Sequence, residues 1–141
     1  MKLRISNFFL GIFSLLLGSG TVLGQDASKI QEKKIVTRTV YEYFVEEGMD
    51  EPVVESVERY NERGDLLEIK EFNSKGEVKR WEKYDYDERG HQVEEVYLDG
   101  KGKVQRTEKS VYSDGLRVEK LYYNNKDKLY KRKVYEYEYR K

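Results

Sequence analysis

From Lys34 onward, stretches that mix Val, Ile, Leu and Tyr with Lys, Arg and Glu alternate with short polar breaks about every dozen residues. Six of these breaks share a frame. They are Tyr60-Asn61-Glu62-Arg63-Gly64-Asp65-Leu66, Phe72-Asn73-Ser74-Lys75-Gly76-Glu77-Val78, Tyr86-Asp87-Glu88-Arg89-Gly90, Leu98-Asp99-Gly100-Lys101-Gly102-Lys103-Val104, Tyr112-Ser113-Asp114-Gly115-Leu116-Arg117-Val118 and Tyr123-Asn124-Asn125-Lys126-Asp127-Lys128-Leu129. An Asn or Asp that opens such a break can bond its side chain to the backbone two residues on. A Gly three positions later suits a type I turn whose exit residue needs positive φ, the usual hairpin loop with a glycine bulge. The frame therefore predicts hairpins, with Gly64, Gly76, Gly90, Gly102 and Gly115 as turn residues. The aromatic before each turn and the aliphatic after it face each other across the strand ends. The fifth break is one residue short, and the sixth has Asp127 where Gly is expected, so these two should be the least regular turns.

The intervening segments read as strands. Lys34–Val45 and Lys128–Tyr139 mix β-branched, aromatic and charged residues, and the second ends in a strict Tyr/Glu alternation of period two. Glu, Lys and Arg also favour helix, but a Gly or Asn every dozen residues would break one at about three turns. Pro52, the single proline, stands at a strand start, where it is tolerated. The expected fold is all-β, an antiparallel meander of about eight strands at 34–45, 52–60, 66–72, 77–86, 92–98, 103–112, 116–123 and 128–139. Both faces of most strands are mixed. Straight alternation puts Val78, Arg80, Glu82, Tyr84 and Tyr86 on one side and Trp81 on the other. A sandwich needs a clean apolar face on each strand. The pattern instead fits an extended twisted sheet whose thin apolar stripe is covered by Lys, Arg and Glu stems. A small up-and-down barrel is the alternative. No strand carries the continuous lipid-facing set of a membrane barrel.

The first two dozen residues stand apart. Lys2 and Arg4 precede an apolar run from Phe8 to Leu17, and Val22-Leu23-Gly24 has the small and aliphatic residues of a cleavage site. Residues 1–24 therefore read as a secretory signal peptide cut after Gly24, 25–33 as a short linker and 34–141 as a single β-repeat domain. The apolar run is short for a membrane span. The chain has no cysteine, so it has neither disulfides nor the lipidated Cys of a lipoprotein. An exported domain without disulfides points to a bacterial periplasm or cell surface. After cleavage 25 basic residues would face 27 acidic ones. That balance argues against nucleic acid, which needs a basic footprint.

Lys83-Tyr84-Asp85-Tyr86-Asp87-Glu88-Arg89-Gly90 and Tyr60-Asn61-Glu62-Arg63-Gly64-Asp65-Leu66 resemble the YD repeats of bacterial RHS-type proteins and of short exported YD-like proteins. The resemblance spans about residues 55–130 and implies strand-turn geometry. The toxin-encasing shell of the large RHS proteins does not carry over to a chain of this length. A weaker resemblance is to MORN-variant repeats, whose second Gly per unit is mostly missing here.

Candidate chemistry is sparse. His91, the single histidine, follows Gly90 and is expected in solvent; with no Cys, a Cys/His zinc site is excluded. Asp85-Tyr86-Asp87-Glu88-Arg89-Gly90 opens like a calcium loop, but Arg89 and Val96 stand where ligands are required. Asp99-Gly100-Lys101-Gly102 lacks the longer phosphate-loop frame. The doublets Glu46-Glu47 and Glu94-Glu95 should diverge to opposite faces, while Glu136 and Glu138 share one. No cofactor or metal is expected. The tyrosines carry more meaning, either as core in place of Leu or as amphipathic contact ladders. Tyr41, Tyr43, Trp81, Tyr135, Tyr137 and Tyr139 form the candidate binding surface. The expectation is a non-enzymatic exported module that binds a protein or glycan at the cell envelope. The alternatives are a glycan-acting periplasmic enzyme or accessory subunit, and an inhibitor or immunity-type partner of one cognate protein.

Overall fold

The computed structural model describes residues 23–44 and 51–140. A helix, α1 (Leu23–Glu32), precedes eight strands: β1 (Thr37–Glu42), β2 (Val53–Tyr60), β3 (Leu66–Phe72), β4 (Val78–Tyr86), β5 (Gln92–Leu98), β6 (Val104–Ser113), β7 (Leu116–Asn124) and β8 (Leu129–Val134). The strands form one antiparallel sheet in chain order, and β1 and β8 are not paired. The fold is thus the expected all-β meander, open rather than closed into a barrel. The end strands are shorter than the alternation predicts, and Tyr135, Tyr137 and Tyr139 lie beyond β8.

The turns follow the sequence grammar closely. Asn61, Asn73, Asp87, Asp99 and Asn124 each accept two backbone N–H bonds on one side-chain oxygen, from the residues two and four positions on, at 2.8–3.1 Å. Each also closes the backbone bonds of a type I turn with its bulge residue. The sixth turn proves as regular as the others, because Asp127 takes up φ of 56° in place of Gly, and Asp is one of the few side chains that adopt this region readily. The fifth alone differs. Asp114 and Gly115 both have positive φ between the paired Ser113 and Leu116, which makes a two-residue Asp-Gly hairpin.

A second regularity was not read from the sequence. In all seven strand pairs the register slips by one, opposite Glu55, Leu67, Lys79, Val93, Gln105, Val118 and Tyr130. The extra residue is always the second or third of the incoming strand. Each slip bends that strand and adds twist, and it moves the residues before it out of phase with those after it. Val78 therefore does not share the alternation of Arg80, Glu82 and Tyr84, contrary to the straight count. The true repeat is a hairpin pair. Tyr60, Tyr86 and Tyr112 stand 26 residues apart, at the same end of alternate strands.

Residues 25–33, expected as a linker, are largely helical, and the expected cleavage point lies within α1; the remainder of the proposed signal peptide falls outside the described residues. Ala27, Lys29, Gln31 and Glu32 are good helix formers, and Lys29 pairs with Glu32 at 2.7 Å. The helix ends at Lys34 (φ 53°), with Ile35 N–H on Ile30 C=O and Lys34 N–H on Gln31 C=O. This is a Schellman ending. Ile30 is buried and docks the helix near the β2–β3 turn, where the Ala27 carbonyl covers Gly64. The buried apolar side chains of the described residues are few: Ile30, Tyr60, Ile69 and Tyr122. Tyrosine thus supplies half of this thin core.

Candidate binding surface

One face of the sheet carries a ladder of carboxylates, cations and phenols. Its basic unit is Glu-x-Tyr along a strand, which places both side chains on the same side. Tyr60 donates its hydroxyl to Glu58, Tyr84 to Glu82, and Tyr97 to Glu95. Cations complete each unit. Arg38 reaches Glu58 at 2.6 Å from β1, and Arg80 grips Glu82 with two bonds of 2.7 Å while donating to Glu71 at 2.9 Å. Lys120 lies 2.5 Å from Glu108 and 3.9 Å from Glu95. Arg106 stacks its guanidinium 3.8 Å over Tyr97 and makes a charge contact of 2.8 Å with Glu108. Glu58, Glu82 and Glu108 are only 6–8% exposed. Unpaired carboxylates would not tolerate such burial.

The titration properties follow from this packing. Burial alone would raise the Glu82 carboxyl, but hydrogen bonds from Arg80 and Tyr84 and the nearby guanidinium charges outweigh it and hold the group below its ordinary value. Glu58 is held low in the same way by Arg38 and Tyr60 against its burial, and Glu68 by Trp81 and Arg59. The phenols move the other way. Burial and the bonded carboxylates raise Tyr84 and Tyr97, and burial with the charges of Asp65 and Glu95 pushes Tyr86 up to about 12. A carboxyl lowered on folding contributes stability above its unfolded value of 4.5, lost as pH falls through the folded value. A phenol raised on folding contributes below its unfolded value of 10.0, lost as pH rises. The denaturation midpoint should therefore stay level from near-neutral to mildly alkaline pH. It should fall below pH 4.5 and again above pH 10, with the share of tyrosinate absorbance that belongs to Tyr84, Tyr86 and Tyr97 rising only as the alkaline limb unfolds. Free titration of all tyrosines in the folded chain would contradict this packing.

Phenols also tie strand to strand. The hydroxyls of Tyr86, Tyr112 and Tyr137 donate to the carbonyls of Leu66, Gln92 and Arg117, each twenty residues earlier. His91, expected in solvent, is half-buried. It stacks on Tyr112 with ring centroids 4.6 Å apart and places Nδ1 2.9 Å from Asp87. Asp87 holds the turn as well, so the histidine belongs to the turn's structure. Glu94 and Glu95 diverge as expected, to Lys109 at 3.3 Å and to Tyr97 at 2.7 Å. Glu46 and Glu47 lie outside the described residues.

The six aromatics expected to form one surface occupy three places. Tyr41 and Tyr43 are exposed at the β1 edge, while Tyr135, Tyr137 and Tyr139 follow β8 at the opposite edge. Trp81 sits mid-sheet on the face opposite the ladder. Lys70 lies 3.6 Å above its ring, its Nε1 donates to Glu68 at 2.6 Å, and the ring abuts Gly102. Trp81 is thus packed rather than free. The exposed tyrosines leave two aromatic edges, with Tyr41 55% and Tyr139 78% exposed. The Glu-x-Tyr units, missed in the sequence, were visible there as Glu58-Arg59-Tyr60, Glu82-Lys83-Tyr84 and Glu95-Val96-Tyr97.

No family model matches the chain, and no curated protein is similar to it.

Proposed function

We propose that this chain is a non-enzymatic binding or structural module of the cell envelope, a short YD-like repeat protein exported by its N-terminal signal and engaging a protein partner through its sheet edges. The observation that carries this reading is the pair of edge strands, open among the described residues and flanked by exposed tyrosines. An edge offers unpaired backbone groups to an incoming strand, and tyrosine adds large contact area with a polar tip. The acid and base groups on the ladder face support the same reading. The carboxylates Glu58, Glu82 and Glu108 are engaged within the sheet by Arg, Lys and Tyr partners, as suits a rigid scaffold.

The test is affinity capture from envelope extract, comparing the chain with Tyr41→Ala/Tyr43→Ala and Tyr139→Ala variants. One stoichiometric protein, lost or weakened with an edge variant while the fold persists, is the expected result. Retention on a glycan array without any captured protein would move the assignment to a glycan-binding accessory subunit.

A further inference from the structure

We infer that the β8 edge receives the β1 edge of a second copy of this chain, so that protomers join head to tail in one continued antiparallel sheet. The inference rests on the edge-binding reading above and names the partner. Its first support is parity. Eight strands in strict antiparallel order make β8 run opposite to β1. A β1 laid beside β8 by simple continuation is therefore antiparallel to it and keeps the same face outward.

The second support is register. The phase that relates Val40↔Ser56 to Ile69↔Glu82 places β1 on the same repeat as β3. The rungs Ser56↔Glu71, Glu82↔Tyr97 and Glu108↔Tyr122 occupy one repeat position. Carried one unit further, that position sets Lys133 against Glu42 of the second copy. The next rungs set Val134 against Tyr41 and Tyr135 against Val40. Hydrogen-bond direction agrees independently. Tyr135 N–H is spent on Val118 C=O, and Val36 C=O on Tyr60 N–H. By alternation the backbone groups of Val134 and of Tyr41 point away from their own sheet. The register thus pairs two outward-facing residues, both exposed.

The third support is charge. That register sets Lys133 against Glu42. It also brings Glu136 and Glu138 toward α1, where Lys29, Lys33 and Arg38 border a groove of about 550 Å³ floored by Ile30 and Ile35. Lysines on an edge strand ordinarily discourage pairing. Here they exclude a two-fold β8–β8 contact, which would oppose Lys131, Arg132 and Lys133 to themselves, while the other edge offers the Glu42 carboxylate in register with Lys133. A head-to-tail contact of this kind does not close on itself and gives open chains.

Sedimentation velocity on the full chain across a concentration series tests this, with Val134→Pro, Lys133→Glu and Glu42→Lys as variants. Val134→Pro removes an outward donor and no bond to β7. The chain should form a concentration-dependent ladder of species, and each variant alone should lose it while keeping its far-UV dichroism. An equal mixture of Lys133→Glu and Glu42→Lys should regain association, because each introduced charge then meets its complement. A chain that stays monomeric throughout overturns the inference, and if it still captures an envelope protein the edge-binding role stands without it. Association that survives the three substitutions, or that the mixture fails to restore, belongs to another surface and overturns it as well.

Discussion

Gly64→Ala should destabilise the chain far more than Gly76→Ala, although the two glycines occupy the same position in turns of the same type. Both have left-handed φ, 82° and 76°. A Cβ in that conformation costs about 1–2 kcal/mol, and this is the whole expected effect at Gly76, where an added Cβ meets nothing within 4 Å. At Gly64 the added carbon would stand 2.3 Å from the Ala27 carbonyl oxygen and 3.2 Å from the Gln31 nitrogen. Both are helix backbone and cannot rotate aside, so α1 must lift off the turn. Ile30 then loses its burial, worth about 1.5–3 kcal/mol more. Thermal or urea denaturation should show the two-tier difference, and amide exchange at residues 27–32 should accelerate in the Gly64 variant alone. Equal losses at the two glycines would mean that the helix contributes nothing by docking there.

The second large effect is expected at Glu82. Glu82→Ala removes the acceptor of two Arg80 bonds and of the Tyr84 hydroxyl at a buried site. Hydrogen bonds to a charged group contribute about 1.5–3 kcal/mol, and the half-buried phenol is left without its partner. Arg80 keeps Glu71 and 43% of its side-chain exposure, so the guanidinium can turn to water and limit the loss. A net cost of about 3 kcal/mol follows. The exposed pair Glu119–Arg132 provides the contrast, since Glu119→Gln should cost less than about 1 kcal/mol. Urea midpoints for the two variants, with unchanged slopes, would check this. A Glu82 loss no larger than that of Glu119 would show that the ladder face is solvated rather than packed.

What could be read ahead of the structure was the part written in local chemistry. Asn61, Gly64 and their counterparts specify hairpins because each acts within five residues of itself. The sixth turn was expected to be irregular because Asp127 stands where Gly is usual, yet it is regular, because φ and not residue type is what the turn requires. The register slips at Leu67, Lys79, Val93 and the others were not legible, since such a bulge demands no particular side chain. Without them the face assignment of Val78 went astray. Helix α1 was not legible because its first residues, around Gly24, carry the small and aliphatic pattern of a cleavage site, which competes with the helix formers that follow. The placement of the candidate aromatics was half legible. Exposed tyrosines mark two edges as expected, but alternation alone could not tell that Trp81 would be pinned between Lys70 and Glu68.

The strictly sequential pairing of the strands also has a kinetic side. From β2 to β8 each hairpin closes a loop of two to five residues, so pairing carries little closure entropy and contact order stays low for a β protein. The same arrangement provides no long-range strand pairing among the described residues, since each strand bonds its backbone only to its neighbours in the chain. Loss of structure should therefore proceed as unzipping from β1 and β8 inward, with β4 and β5 the last to exchange their amides.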